Sequence, residues 1–266
     1  LDSRAAAAPR PGEASPAVPP PQAIPVSTAA NAPVQAAPAS PAPPDLALPQ
    51  TPLLDPQAKA AAMAELRERA LVCQKCPHLA RSRKNVVFGV GDIHAELMFV
   101  GEAPGADEDE QGEPFVGKAG QLLTRIIQTM GFSRDTVYIA NVLKCRPDTP
   151  GQAFGNRKPT PEEMKTCLPY LLAQIDLIQP KVMVALGSTA MEGLFGKPVY
   201  ITKIRGQWHS FRGIPVMPTY HPSYLLRNQA LTTKREVWED MLQVLERLGK
   251  PISERQKNYF LKAGAS

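Results

Sequence analysis

Four short β-rich runs constrain the fold of this chain most: Leu97–Val100, Val137–Val142, Val182–Leu186 and Val216–Tyr220. Helical patterns lie between and after them, over Lys118–Met130, Pro161–Ile178, Ser188–Leu194 and Lys234–Leu248, with another ahead of them over Ala58–Leu71. Strands that alternate with helices pair in parallel and are covered on both faces. The expected fold class is therefore α/β, a three-layer α/β/α domain around a central four-stranded parallel sheet. Its helix boundaries carry local signals. Asp55 offers an N-cap before Pro56, and Thr160 with Glu163 makes a capping box around Pro161. Pro169 is expected to kink its helix. Val237, Met241, Leu245 and Leu248 form one apolar stripe on the last helix.

In such a fold, ligands bind beyond the carboxyl ends of the strands. The first run ends in Gly101-Glu102-Ala103-Pro104-Gly105, and the second in Asn141 and the segment through Cys145 and Pro147. Gly187-Ser188 follows the third, and His221-Pro222-Ser223 the fourth. Polar, glycine-rich and histidine-bearing segments thus gather on one rim, where a site is expected.

Composition bounds the rest. Residues 1–55 hold 14 of the 29 prolines and no aromatic side chain, and Ala and Pro make up 29 of these 55 positions. A segment of this kind buries too little apolar surface to offset its ordering entropy, so a disordered N-terminal tail is expected there. The domain is expected over residues 56–249, with a C-terminal extension over 250–266. The tail carries four acidic side chains against two arginines; with +5 overall, the remainder carries +7. A basic body suits a polyanion, nucleic acid first. No apolar run approaches the ~18 residues of a transmembrane helix, and Ala5–Ala8 is too short for the core of a secretory signal. A cytoplasmic, nucleoid-associated monomer without membrane contact is expected.

The four cysteines, Cys73, Cys76, Cys145 and Cys167, leave none unaccounted for if they share one centre. Cys73 and Cys76 form a chelating pair on a loop, Cys145 lies just past a strand and Cys167 lies on a helix. Four thiolates suit structural zinc or an iron–sulfur cluster, and spacing alone does not separate the two. Unrelated buried thiols, or a redox pair with two bystanders, are the alternatives.

On the rim, the run Ala106-Asp107-Glu108-Asp109-Glu110 opposes a phosphate, and no phosphate-loop lysine is present. Phe115 lies between glycines in Gly112–Gly117, where an aromatic is either core or a stacking surface for a flat ligand. Asn141 presents a donor and an acceptor together, which fits the edge of a base or a local turn. His221 sits at a strand end on the ligand rim.

The segments GEAPG with its acidic run, GEPFVGKAG, NVLKCRP, GNRKPTPEE and HPSYLLR occur in this order within the four-cysteine frame. Together, over about residues 60–248, they resemble the family-four uracil-DNA glycosylases, the iron–sulfur branch of that superfamily. Thr149–Phe154 reads as a surface insertion relative to that pattern. The resemblance implies a DNA-repair enzyme that flips uracil out of single- or double-stranded DNA and hydrolyses its N-glycosidic bond. It assigns Asn141 as the uracil reader and Phe115 as the stacking aromatic. Glu108 becomes a wall against a thymine methyl, and His221 the donor to departing uracil. Glu102, with Gly101, the Ala103 backbone and Gly105, would position water and base. Family four lacks the aspartate that other branches use to activate water, so Glu102 as a base stays open. Ser223, Leu225, Leu226 and Arg227 match the DNA-intercalating loop, with either leucine as the wedge and Arg227 on a phosphate. The cysteines would hold a 4Fe-4S cluster in a structural role, with zinc the second choice. The alternative is a relative that binds or covalently traps uracil-DNA with little turnover; Ala103, and the absence of histidine from Gly151–Lys158, favour turnover. The proline-rich tail is expected to reach a protein partner.

Overall fold

The computed structural model describes residues 55–148 and 156–261. The tail expected over residues 1–55, apart from Asp55, and the insertion at Thr149–Phe154 lie outside the described residues. In chain order the elements are α1 (Pro56–Leu71), α2 (Pro77–Ser82), β1 (Val90–Gly91), β2 (Leu97–Gly101), α3 (Ala106–Gln111), α4 (Lys118–Thr129), β3 (Tyr138–Asn141) and α5 (Pro161–Ile178). There follow β4 (Val182–Leu186), α6 (Ser188–Phe195), α7 (Ile201–Ile204), β5 (His209–Phe211), β6 (Ile214–Thr219), α8 (Pro222–Arg227), α9 (Leu231–Arg247) and α10 (Glu254–Lys257). None of the helices among the described residues is long and apolar enough to cross a membrane.

The sheet order is β1-β3-β2-β4-β6-β5. β3, β2, β4 and β6 are mutually parallel, with Gly101 opposite Asn141 and Val184 opposite Met217. The sheet has six strands rather than the expected four, because β1 and β5 add antiparallel edges. Strands of two and three residues are too short to show a periodicity. The central strands alternate between two cores. Met98, Val100, Ala140 and Ala185 face helices α1, α5 and α6 through Leu66, Leu171, Ile175 and Met191. Leu97, Phe99, Ile139 and Val184 face α4 and α9 through Leu123, Ile127, Met241 and Leu245. The α/β/α layering is therefore as expected. Val237 leaves the expected stripe and joins Tyr220 and Leu225 in a smaller cluster.

Local chemistry explains the boundaries. Asp55 accepts hydrogen bonds from the Gln57 and Ala58 amides, and Thr160 with Glu163 closes the expected capping box. α5 continues through Pro169 as one helix of 18 residues. The acidic run Ala106-Asp107-Glu108-Asp109-Glu110 is helical. It forms α3, whose first turn carries Asp107, Glu108 and Asp109 where the helix dipole favours negative charge. Residues 250–261 fold back on α9: Trp238 Nε1 donates to the Gln256 carbonyl at 2.5 Å, and Arg235 Nη1 donates to the Lys257 and Tyr259 carbonyls.

Candidate active site

A cavity of about 650 Å³ opens beyond the carboxyl ends of β2, β3, β4 and β6. It is lined by Glu102, Ala103, Gly105, Glu108, Phe115, Asn141, His221, Ser223 and Arg227 among others. Nine of the residues singled out on the rim thus meet around one space. They come from the ends of β2, β3 and β6, and Gly187 and Ser188 after β4 line the same space, as the parallel topology requires.

Asn141 ends β3 and is only 2% exposed, and among the described residues its Oδ1 has no hydrogen-bond partner. A buried, unsatisfied carbonyl oxygen costs roughly 1–3 kcal/mol unless a ligand donor meets it. Gly101 lies opposite Asn141 in the ladder. A Cβ there would lie 2.5 Å from Phe115 Cζ and collide with Asn141 Oδ1. The Gly101 position therefore holds ring and amide together without lining the cavity itself. Gly101→Ala is expected to lower turnover about 10²-fold by displacing both groups, as misplacements near 1 Å do; steady-state rates on a uracil oligonucleotide, with circular dichroism for the fold, measure it.

Phe115 is buried and sits at φ +55°, a left-handed conformation that non-glycine residues rarely adopt. Arg134 holds it there: Nη1 donates to the Phe115 carbonyl at 3.0 Å and Nη2 to the Pro114 carbonyl at 2.7 Å. Nothing in the sequence marks Arg134, because its partners lie 19 and 20 residues away. Glu108 is a strap. Its Oε1 accepts from the Val116 and Gly117 amides and its Oε2 from the Gly105 amide, which ties the GEAPG loop to the Phe115 loop. Both oxygens are thus fixed by backbone while the side chain lines the cavity.

His221 N-caps α8, and its ring centroid is 5.7 Å from that of Phe115. The Ser223 amide donates to Nδ1 at 3.2 Å, and the Ser223 hydroxyl lies 2.8 Å from the same nitrogen. Nδ1 is therefore the acceptor, and the ring proton sits on Nε2. Burial, then the nearby Arg227 charge, lowers the His221 pKa to about 4, so the ring is neutral near pH 7. Ser223, expected at the DNA, is bonded to His221. Leu225 is 6% exposed and packs with Tyr220 and Val237, so it is core and cannot act as the wedge. Leu226 is half-buried and Arg227 exposed on the same helix. Burial raises the Glu102 pKa, while a hydrogen bond with Thr189 and the Lys158 charge oppose the rise.

On the other side of β3, Cys73, Cys76, Cys145 and Cys167 line a second, small cavity with Leu79, Arg83 and Leu143. Arg83 Nη1 donates to Cys145 Sγ at 3.1 Å and the Lys144 amide to Cys167 Sγ at 3.2 Å. Burial raises the Cys76 and Cys145 thiol pKa values, and that of Cys167 to about 12. Among the described residues, no three His, Cys, Asp or Glu side chains converge as tightly as a single metal ion requires. Four thiols line one small cavity, with N–H donors on two of the sulfurs, a donor set whose chemistry suits a thiolate-held metal centre.

Residues 88–242 match the family model described as the uracil DNA glycosylase superfamily. The chain is 49% identical over 183 residues to the Type-4 uracil-DNA glycosylase of Thermotoga maritima, covering 67% of this chain and 91% of that protein. It is 41% identical to that of Sulfurisphaera tokodaii, over 75% of this chain and 90% of the relative. The corresponding protein of Archaeoglobus fulgidus is 39% identical, over 71% and 94%. The cavity lies within the matched span, at the strand ends where such a site belongs, and the chain belongs to the uracil DNA glycosylase superfamily.

Proposed function

We propose that this chain is a DNA-repair glycosylase that extrudes uracil from DNA and hydrolyses its N-glycosidic bond, leaving an abasic site. The buried, partnerless Oδ1 of Asn141 carries this reading, since uracil N3–H is the donor it lacks. Cytosine carries no proton on N3, so it would leave that oxygen unpaired. Phe115 offers its ring to the base, and its strained backbone fixes that ring before substrate arrives. As the bond lengthens, positive charge grows on the sugar and negative charge on the departing base. The His221 Nε2–H is a neutral donor for uracil O2, and it stabilises the anion where it develops. Its neutrality is useful because no proton is removed from solution to prepare it. Glu102 faces the cavity with a carboxyl that burial makes more basic, and it is the group available to orient the attacking water. Incubation with a uracil oligonucleotide followed by alkaline cleavage tests the reading: strand scission is expected with uracil and none with thymine or cytosine. Intact uracil strands would refute it. The names of these three relatives, each a Type-4 uracil-DNA glycosylase, favour turnover over a trapping role.

Cys73, Cys76, Cys145 and Cys167 are proposed to hold a 4Fe-4S cluster. Bound there, it supplies a covalent staple between α1, the β3 exit and α5, and no electron is needed for this hydrolysis. The protein is expected to be brown when purified, and Cys145→Ser to lose both the colour and several degrees of thermal stability. A colourless protein with one tightly bound zinc would replace this assignment.

A further inference from the structure

A second lip of the cavity is built by α7, which carries none of the motif residues. Ile201 and Thr202 line the cavity, and Ile201 packs into the Tyr220, Leu225 and Val237 cluster that also roots α8. Tyr200, immediately before α7, is 76% exposed, although most large apolar side chains of the domain are buried. The Lys203 ammonium lies 5.4 Å from its ring centroid. Among the described residues Lys203, and Arg227 on the α8 lip of the cavity, form no ion pair, although Lys158 and Lys181 find carboxylates. An exposed aromatic with an uncompensated cation beside it, adjoining the Ile201 and Thr202 wall of the cavity, has the composition of a single-strand platform: a ring for a base and an ammonium group for a phosphate.

We propose that Tyr200 stacks on an unpaired base flanking the extruded uracil in single-stranded DNA, and that Lys203 contacts the adjoining phosphate. The proposal rests on the uracil-DNA reading of the main cavity. In a duplex the flanking bases stay paired within the helix and cannot swing out to a ring on the protein surface, so the contact belongs to single strands. The polynucleotide must cross the mouth of the cavity to place uracil at Asn141, and α7 and α8 border that mouth together.

Tyr200→Ala is therefore expected to raise KM for a single-stranded uracil oligonucleotide about tenfold, with kcat unchanged and duplex KM altered less than about threefold. Tyr200→Phe should behave as wild type, because the ring and not the hydroxyl makes the contact. Lys203→Gln should make the slope of log affinity against log salt for single strands shallower by about 0.7. Equal KM for wild type and Tyr200→Ala on single strands, or an equal rise on duplex, would overturn the proposal. Fluorescence anisotropy with an undamaged single strand separates this from the main reading. A Kd about tenfold weaker for Tyr200→Ala supports the platform even if wild type releases no uracil, and an unchanged Kd rejects it.

Discussion

Asn141→Ala is expected to reduce uracil release about 10²–10⁴-fold while leaving the thermal midpoint within about 2 °C of wild type. The two halves of that expectation come from one observation. An amide oxygen that is buried without a partner contributes no hydrogen bond to the folded state, so deleting it removes a penalty as well as a few contacts. The same oxygen is the group that would pair with uracil N3–H, and a site built around a polar partner loses most of its rate when the pair cannot form. A structural asparagine predicts the reverse, with stability falling and activity following it down. Single-turnover release from a uracil strand, together with calorimetry on the same preparation, distinguishes the two. Near-normal release would mean that the cavity reads its base through other groups.

The parallel core was legible because its strands are buried on both faces. Leu97–Val100 and Val182–Leu186 read as continuous apolar runs, and the chain turns polar where each leaves the sheet. The rim followed from topology alone, and so did the meeting of Glu102, Asn141 and His221. Contacts made across space were not legible. The resemblance singled out Glu108, but nothing in the sequence marked the amides three, eight and nine residues away that it binds. Arg134 has no local mark at all. Leu225 and Leu226 are adjacent and chemically identical, and only the packing of α8 on Tyr220 and Val237 separates a core residue from an accessible one. The left-handed backbone at Phe115 was equally hidden, since phenylalanine gives no warning of positive φ. Its causes are the Arg134 clamp and Gly120, where a Cβ would overlap the Phe115 carbonyl.

His221→Ala is expected to slow uracil release about 10²–10³-fold, the cost of removing one donor aimed at a developing oxyanion, or ~3–4 kcal/mol of transition-state stabilisation. The effect should fall on kcat, because the anion exists only in the transition state. Ser223→Ala leaves the imidazole in place and removes one of two contacts at Nδ1, so its loss should be about tenfold, an intermediate value that an unrelated structural defect would not produce. The pH profile adds an independent check. With its folded-state pKa lowered to about 4, His221 keeps its neutral form at pH 5 and 6, where an unperturbed ring would already be protonating. Activity limited by this residue should hold to about pH 5 and fail near pH 4, provided the fold persists. Persistence is itself challenged by the same shift. Between pH 6.5 and about 4 the unfolded chain binds a proton that the folded one refuses, so stability must decrease as pH falls through that window. His221→Ala should therefore flatten the acid side of the stability curve while abolishing most of the rate. An acid limb of activity centred near pH 6.5 in the wild type would show that the ring titrates freely and is not the half-buried, neutral donor that the cavity holds.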